Sequence, residues 1–153
     1  MVAGLEIHEL VLLPSLLNNS DIWIDMTEES STKLENLQNV MFRNLFGVPT
    51  STPILLLRFD VGCLKMEELI HKKKLNFLHH VRTMEDNSLA SEILVLQIKY
   101  GFPGLVTECR ELLQLYKLPN IIDENLNLSK FQWKSLVRTA IKKMSEEAIK
   151  KTF

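Results

Sequence analysis

The residues able to do chemistry are few, and they do not converge. Four histidines (His8, His71, His79, His80) and two cysteines (Cys63, Cys109) are the imidazole and thiol groups in the chain. No pair has zinc-finger spacing, and side chains eight residues apart on a helix, such as His71 and His79, diverge by about 80°. His8-Glu9 lacks the second histidine of a metalloprotease helix. A lone cysteine most often acts as a small core hydrophobe. The expectation is therefore no metal site.

Nucleophilic and cofactor chemistry have no better footing. There is no Gly-x-Ser-x-Gly elbow, no phosphate-binding loop and no dinucleotide glycine fingerprint, and neither cysteine sits in a nucleophile signature. The acidic pairs Glu28-Glu29, Glu67-Glu68 and Glu146-Glu147 are sequence neighbours. Neighbours point to different parts of a helix surface and rarely make a two-carboxylate site. No cofactor and no small-molecule substrate is expected.

Basic clusters remain. One is Lys72, Lys73 and Lys74 with Arg82, flanked by His71, His79 and His80. The other is Lys130, Lys134, Arg138, Lys142, Lys143, Lys150 and Lys151, opposed mainly by Glu146 and Glu147. Phosphate contacts need only such charges at reachable spacing. The rival reading is a solvated lysine face on an ordinary amphipathic helix. With a net charge of −1 the chain is no polycation, so any grip on nucleic acid must be local.

The elements that carry these residues read as helices. Leu5–Leu17 forms one that Pro14 should kink or end unless it opens a second turn. Thr27 is an N-cap with Glu28 and Glu29 in the first turn, and Leu34, Leu37, Val40, Met41 and Leu45 recur at helical spacing up to a stop at Gly47. Thr52-Pro53 starts a short helix over Ile54–Phe59, broken at Asp60-Val61-Gly62. A longer helix follows over about Lys65–Thr83, with Met66, Leu69, Ile70, Phe77, Leu78 and Val81 inward and Lys72, Lys73 and Lys74 on the outer face.

Glu85-Asp86-Asn87-Ser88 reads as a turn and cap. The next helix, Leu89 to about Tyr100, is apolar on several sides and is expected in the core. Gly101-Phe102-Pro103-Gly104 stops it. Leu105, Val106, Cys109, Leu112, Leu113 and Tyr116 define another helix, ended by Pro119. Ser129 caps the last, whose apolar face is Phe131, Trp133, Val137, Ala140, Ile141, Met144 and Ala148.

The chain has 153 residues, enough for one domain or two small helical lobes. Its 46% hydrophobic and 24% charged residues are those of a globular protein. Five glycines and five prolines are too few for the turns of an all-β fold. The expected class is all-α, an irregular bundle of about six to seven short helices joined by turns containing Pro or Gly. Met1–Leu17 lacks a basic n-region and is interrupted by Glu6, His8 and Glu9, so it is not read as a signal peptide. No run reaches the roughly 20 apolar residues of a membrane span. With so few cysteines the expectation is a reduced, intracellular compartment, cytoplasmic or nuclear. The acceptor-like Asn18-Asn19-Ser20 and Asn127-Leu128-Ser129 would then go unused.

Several strings, in order, resemble the region that follows the catalytic core of non-LTR retrotransposon reverse transcriptases. They are Leu16-Leu17-Asn18-Asn19-Ser20-Asp21-Ile22-Trp23, then Gly47-Val48-Pro49-Thr50-Ser51-Thr52-Pro53, then Lys74-Leu75-Asn76-Phe77-Leu78-His79-His80. Ser88-Leu89-Ala90 and Phe102-Pro103-Gly104-Leu105-Val106-Thr107-Glu108-Cys109 continue the resemblance, which fades past Ile122. It implies a thumb-like helical region over residues 1–122 and a basic amphipathic C-terminal helix over residues 123–153, holding template–primer RNA or DNA beside a polymerase core encoded upstream. It implies no polymerase activity here: the family's Tyr/Phe-x-Asp-Asp metal-binding motif would precede Met1 and does not occur in this sequence, and two-metal phosphoryl transfer needs those carboxylates. Trp23, Gly47, Pro49 and Pro53 read as core anchor, helix stop, rigid turn and helix start.

The nucleic-acid contacts expected on this reading are Lys72, Lys73, Lys74, Arg82, Lys134, Arg138, Lys142, Lys143, Lys150 and Lys151. The alternatives are a helical protein-interaction module, with apolar surface uncovered around Leu10, Leu12, Leu13 and Ile22, or a retroelement relic without function.

Overall fold

A computed structural model of the chain describes residues 2–84, 88–124 and 126–152. Among the described residues every regular element is helical and none is a strand, as expected. The order is α1 (Val2–Ile7), a π-helical turn (His8–Leu12), α2 (Leu13–Leu16), a 3-10 turn (Ser20–Ile22), α3 (Glu28–Phe46), α4 (Ile54–Val61), α5 (Met66–Arg82), α6 (Leu89–Tyr100), α7 (Leu105–Leu115) and α8 (Lys130–Thr152). The chain divides into two compact units, Met1–Ile70 and His71–Phe153. The boundary between these units falls inside α5. Trp133, Val137 and Ile141 of α8 are core residues of the second unit.

The local signals that set the helix ends are side-chain caps. Thr27 Oγ1 accepts from Ser30 N at 3.2 Å and Ser88 Oγ from Ser91 N at 3.1 Å. Ser129 and Gln132 form a complete capping box, Oγ accepting from Gln132 N at 3.2 Å and Gln132 Oε1 from Ser129 N at 3.0 Å. At the other end of α3, Gly47 takes φ 61°, letting Val48 N reach back to Arg43 O at 3.1 Å. The turn expected at Glu85-Asp86-Asn87 lies outside the described residues, although Ser88 caps α6 as expected. α7 ends at Leu115, ahead of Pro119. Lys117 at φ 52° makes the reversal and Leu118 N bonds to Leu113 O at 2.9 Å.

In the first unit Pro14 opens a second turn, at the start of α2. The helix widens before it: Leu13 N bonds to His8 O, five residues back. A proline has no N–H for the preceding turn, and a π turn is one way to absorb it. Leu17, Met66 and Ile70 are buried together, packed by Leu13, Leu16, Trp23, Met26, Leu34 and Leu69. Leu10 and Ile22 are exposed as the interaction-module reading requires, whereas Leu12 and Leu13 are half-buried.

The buried line of α3 is only partly the expected one: Leu34 and Met41 are half-buried. Gln38 and Phe42 face inward, while Leu37, Val40 and Leu45 are exposed. The cause is Arg58 of α4, buried beside α3. Its Nη2 pairs with Glu35 and donates to Gln38 Oε1 at 2.7 Å and Asn39 Oδ1 at 2.8 Å. Gln38 Nε2 in turn donates to Leu64 O at 3.3 Å, and Glu35 Oε1 accepts from Glu67 N at 3.3 Å. A polar network therefore organises this part of the unit, where the apolar count of α3 points elsewhere.

His8 is 1% exposed and lies with its ring centroid 4.7 Å from that of Phe42, both ring nitrogens lacking a hydrogen-bond partner. Burial lowers its pKa below the ordinary imidazole value of 6.5, and Glu9 opposes the shift. The folded state thus binds fewer protons than the unfolded state. This contribution is fully present above pH 6.5 and is lost as pH falls through that value toward the folded pKa. Urea denaturation from pH 7.5 down to pH about 5 should show stability falling. His8→Phe should remove that part of the pH dependence. An unchanged slope in the variant would assign the dependence to other groups.

The second unit is built on the rest of α5. Leu75, Leu78 and Val81 are buried, as are Val106, Cys109, Leu112, Leu113 and Tyr116 of α7 and its end, and Ile121 and Ile122 in the connector. Asn120 shapes that connector, its Oδ1 accepting from Ile122 N at 3.1 Å and Asp123 N at 3.3 Å. On α8 the expected face narrows to Trp133, Val137 and Ile141. Phe131 is 83% exposed because it lies off the line repeated every four residues from Trp133, and Ala148, farther along the helix, is exposed too. Expected inward, Leu69 and Phe77 are only half-buried, and α6 buries Leu94 alone among its large apolar residues. That helix is not the core element its composition predicts.

Candidate nucleic-acid interface

Each cation expected to meet phosphate can be followed to its place. On α5 the predicted patch does not form as a set. Lys74 is 5% exposed and its Nζ pairs with Glu108 of α7. This corrects its assignment: an ammonium already desolvated against a carboxylate cannot neutralise a phosphate without breaking that pair. Arg82 is half-buried, with Nε donating to Ile121 O at 3.2 Å, so its guanidinium helps hold the connector before α8. Lys72 and Lys73 are half-buried as well.

The flanking histidines are occupied structurally. His71 Nδ1 is 2.8 Å from Tyr116 Oη. His79 is buried, its Nε2 3.0 Å from Leu128 O and its ring stacked on Trp133 at 5.4 Å and 10°. His80 is exposed. Trp133 Nε1 donates to Leu75 O at 3.0 Å, so α5 and α8 are joined by one stack and one hydrogen bond, while His79 ties α5 to the segment just before α8. Nothing in the spacing of His79 and Trp133, 54 positions apart, announces this pairing.

On α8 the sequence reading fares differently. Lys134, Arg138, Lys142, Lys143, Lys150 and Lys151 are all exposed, with Trp133, Val137 and Ile141 turned inward. Helical periodicity separates them into two rows. Lys134, Arg138 and Lys142 follow one another at four-residue intervals, about 6 Å apart along the axis, and Lys142 Nζ lies 3.9 Å from Glu146. Lys143 and Lys150 share another side, seven residues apart. Lys151 projects from the last turn. The helix thus presents a basic ladder and a second, sparser row.

Other chemistry finds little support. Among the described residues no three His, Cys, Asp or Glu side chains are grouped as a metal would require. Both cysteines are free thiols. Burial pushes Cys109 up to about 12, with Lys74 opposing, so its sulfur stays protonated as a core atom. Cys63 is half-buried and is also raised, first by burial and then by Glu9. An open groove of about 590 Å³ in the first unit is lined by Trp23, Ile24, Met26, Ser30, Lys33 and Leu34. Its lining is mostly apolar, with only Ser30 and Lys33 to orient a ligand.

Asp123 is held below the usual carboxylate range, chiefly by the Asn120 amide at 2.8 Å and then by Arg110 at 3.2 Å. That is a surface turn, not an acid–base site. No single helix among the described residues is long and apolar enough to cross a membrane. No protein-family model, curated protein or solved structure matches the chain.

Proposed function

We propose that the chain is a substrate-handling region of retroelement reverse-transcriptase origin, which holds an RNA or DNA duplex by its phosphates and performs no reaction itself. The ordered strings that resemble the post-catalytic region of that family motivate the origin. The observation that carries the binding is α8: a ladder of exposed cations about 100° around the helix from the row of Trp133, Val137 and Ile141 that anchors it. A rigid rod with charges about 6 Å apart can follow a phosphate backbone without reading bases.

A salt titration of the anisotropy of a labelled RNA duplex tests the reading. Binding should be measurable at about 50 mM salt, with the logarithm of affinity falling linearly against that of salt. Replacing Lys134, Arg138 and Lys142 together by alanine should flatten the slope by roughly 2 to 3. Replacing Lys143 and Lys150 should flatten it less. Absence of binding at low salt overturns the proposal, and so does a slope indifferent to the ladder.

A further inference from the structure

Helix α6 is apolar around most of its circumference, yet its own unit covers one side of it only. Leu94 is buried and Ala90, Ser91, Gln97 and Ile98 are half-buried. The opposite side carries Leu89, 72% exposed, Ile93, Leu96 and Tyr100, 59% exposed. At 100° per residue these four fall within about 60° of one another. Their intervals of four, three and four residues are those of a coiled-coil seam.

The flanks of the stripe make it specific. Glu92 and Lys99 border it on one edge, seven residues apart, and Ala90 and Gln97 on the other. Suppose a second α6 runs antiparallel with Ile93 opposite Leu96, which also sets Leu89 opposite Tyr100. The edge positions that then face one another are Glu92 and Lys99, in both directions. Parallel alignment would instead bring the charged edge against Gln97 and Ala90. The helix is thus complementary to its own reversed copy in both apolar register and charge. Tyr100 is held at the end of the seam by its tilted neighbour Phe102 at 5.9 Å and by Lys99 Nζ, 5.3 Å from its ring centre.

We propose that α6 is the contact helix of a symmetric homodimer, crossing its copy antiparallel along Leu89, Ile93, Leu96 and Tyr100, with Glu92 paired to Lys99 of the partner subunit. Such an interface is isologous and closes on itself. Twelve residues of one helix bury less than the roughly 800 Å² per partner of a standard interface, so the dimer is weak, with a dissociation constant on the order of 100 µM. A lipid surface fits the stripe poorly: interfacial helices carry cationic flanks, whereas Glu92 and Lys99 cancel. The inference is independent of the α8 ladder.

Sedimentation equilibrium of the full chain, from about 10 µM to about 1 mM, tests it. Dimer should accumulate across that range. Glu92→Lys and Lys99→Glu should each weaken it roughly tenfold, since each places like charges at both symmetric pairs. The double variant should restore association. Leu96→Gln, an exposed position whose replacement leaves the helix content unchanged by circular dichroism, should abolish it. Sedimentation as a monomer throughout overturns the proposal. So does a dimer indifferent to the single charge changes, failure of the double variant to recover, or flotation with neutral vesicles in place of self-association.

Discussion

Trp133→Ala should lower the unfolding free energy by about 4 kcal/mol, the largest effect of any single substitution in the second unit. Three losses coincide at that position. The indole is among the largest side chains fully buried in the molecule, so its removal leaves a cavity that α5 and α8 cannot close without moving. The stacking partner of His79 disappears, and Leu75 O loses the indole donor that adds to its helical bond. Trp133→Phe separates these terms. It keeps a ring against His79 and most of the buried area but removes the N–H, and should cost about 1 to 2 kcal/mol. Urea unfolding followed by far-ultraviolet circular dichroism measures both. A loss below about 1 kcal/mol for the alanine variant would mean that α8 is not anchored through this residue.

In the first unit the corresponding position is Arg58. Arg58→Met keeps much of the buried stem while removing the guanidinium, and should cost about 3 kcal/mol. The expected loss comes less from the pair itself than from what it leaves behind. Glu35 keeps a charge on a carboxylate only one-fifth exposed, and Gln38 Oε1 and Asn39 Oδ1 lose a shared donor. Adding Glu35→Gln should recover part of the loss, because the stranded charge is then gone. The double variant will still lack the bonds that tie α4 to α3. If the two substitutions simply add, Glu35 and Arg58 are not coupled and the network does not organise the unit. Chemical denaturation of the single and double variants decides between these outcomes.

These two sites also mark where sequence stops informing. The caps at Thr27, Ser88 and Ser129 could be read directly, because a capping bond closes within three residues. The buried stripe of α7 was equally plain: Val106, Cys109, Leu112, Leu113 and Tyr116 follow one helical line with no polar competitor. On α3 the same logic was right only in part: Leu34 and Met41 are half-buried, whereas Leu37, Val40 and Leu45 are exposed. Gln38 goes inside because Arg58, 20 residues away, supplies its partner, and a count of apolar residues cannot weigh a polar side chain whose partner is distant. Lys74 belongs to the same class. Inside a run of three lysines it reads as solvated, yet Glu108, 34 residues on, takes it into the core.

The basic ladder of α8 was legible because its spacing and its exposure both follow from one helix. The placement of α6 was not, for the opposite reason. A helix apolar on all sides says that it wants cover without saying whether its own chain provides it.

The two indoles of this chain sit one in each compact unit, Trp23 half-buried in the first and Trp133 sealed in the second. They therefore work as separate natural chromophores. Their surroundings differ enough, a partly wet ring against a dry one stacked on an imidazole, for their emission to be resolved by colour. With either one replaced by phenylalanine, the light that remains reports on a single unit, and the order in which the halves of the molecule melt can be read without attaching any label.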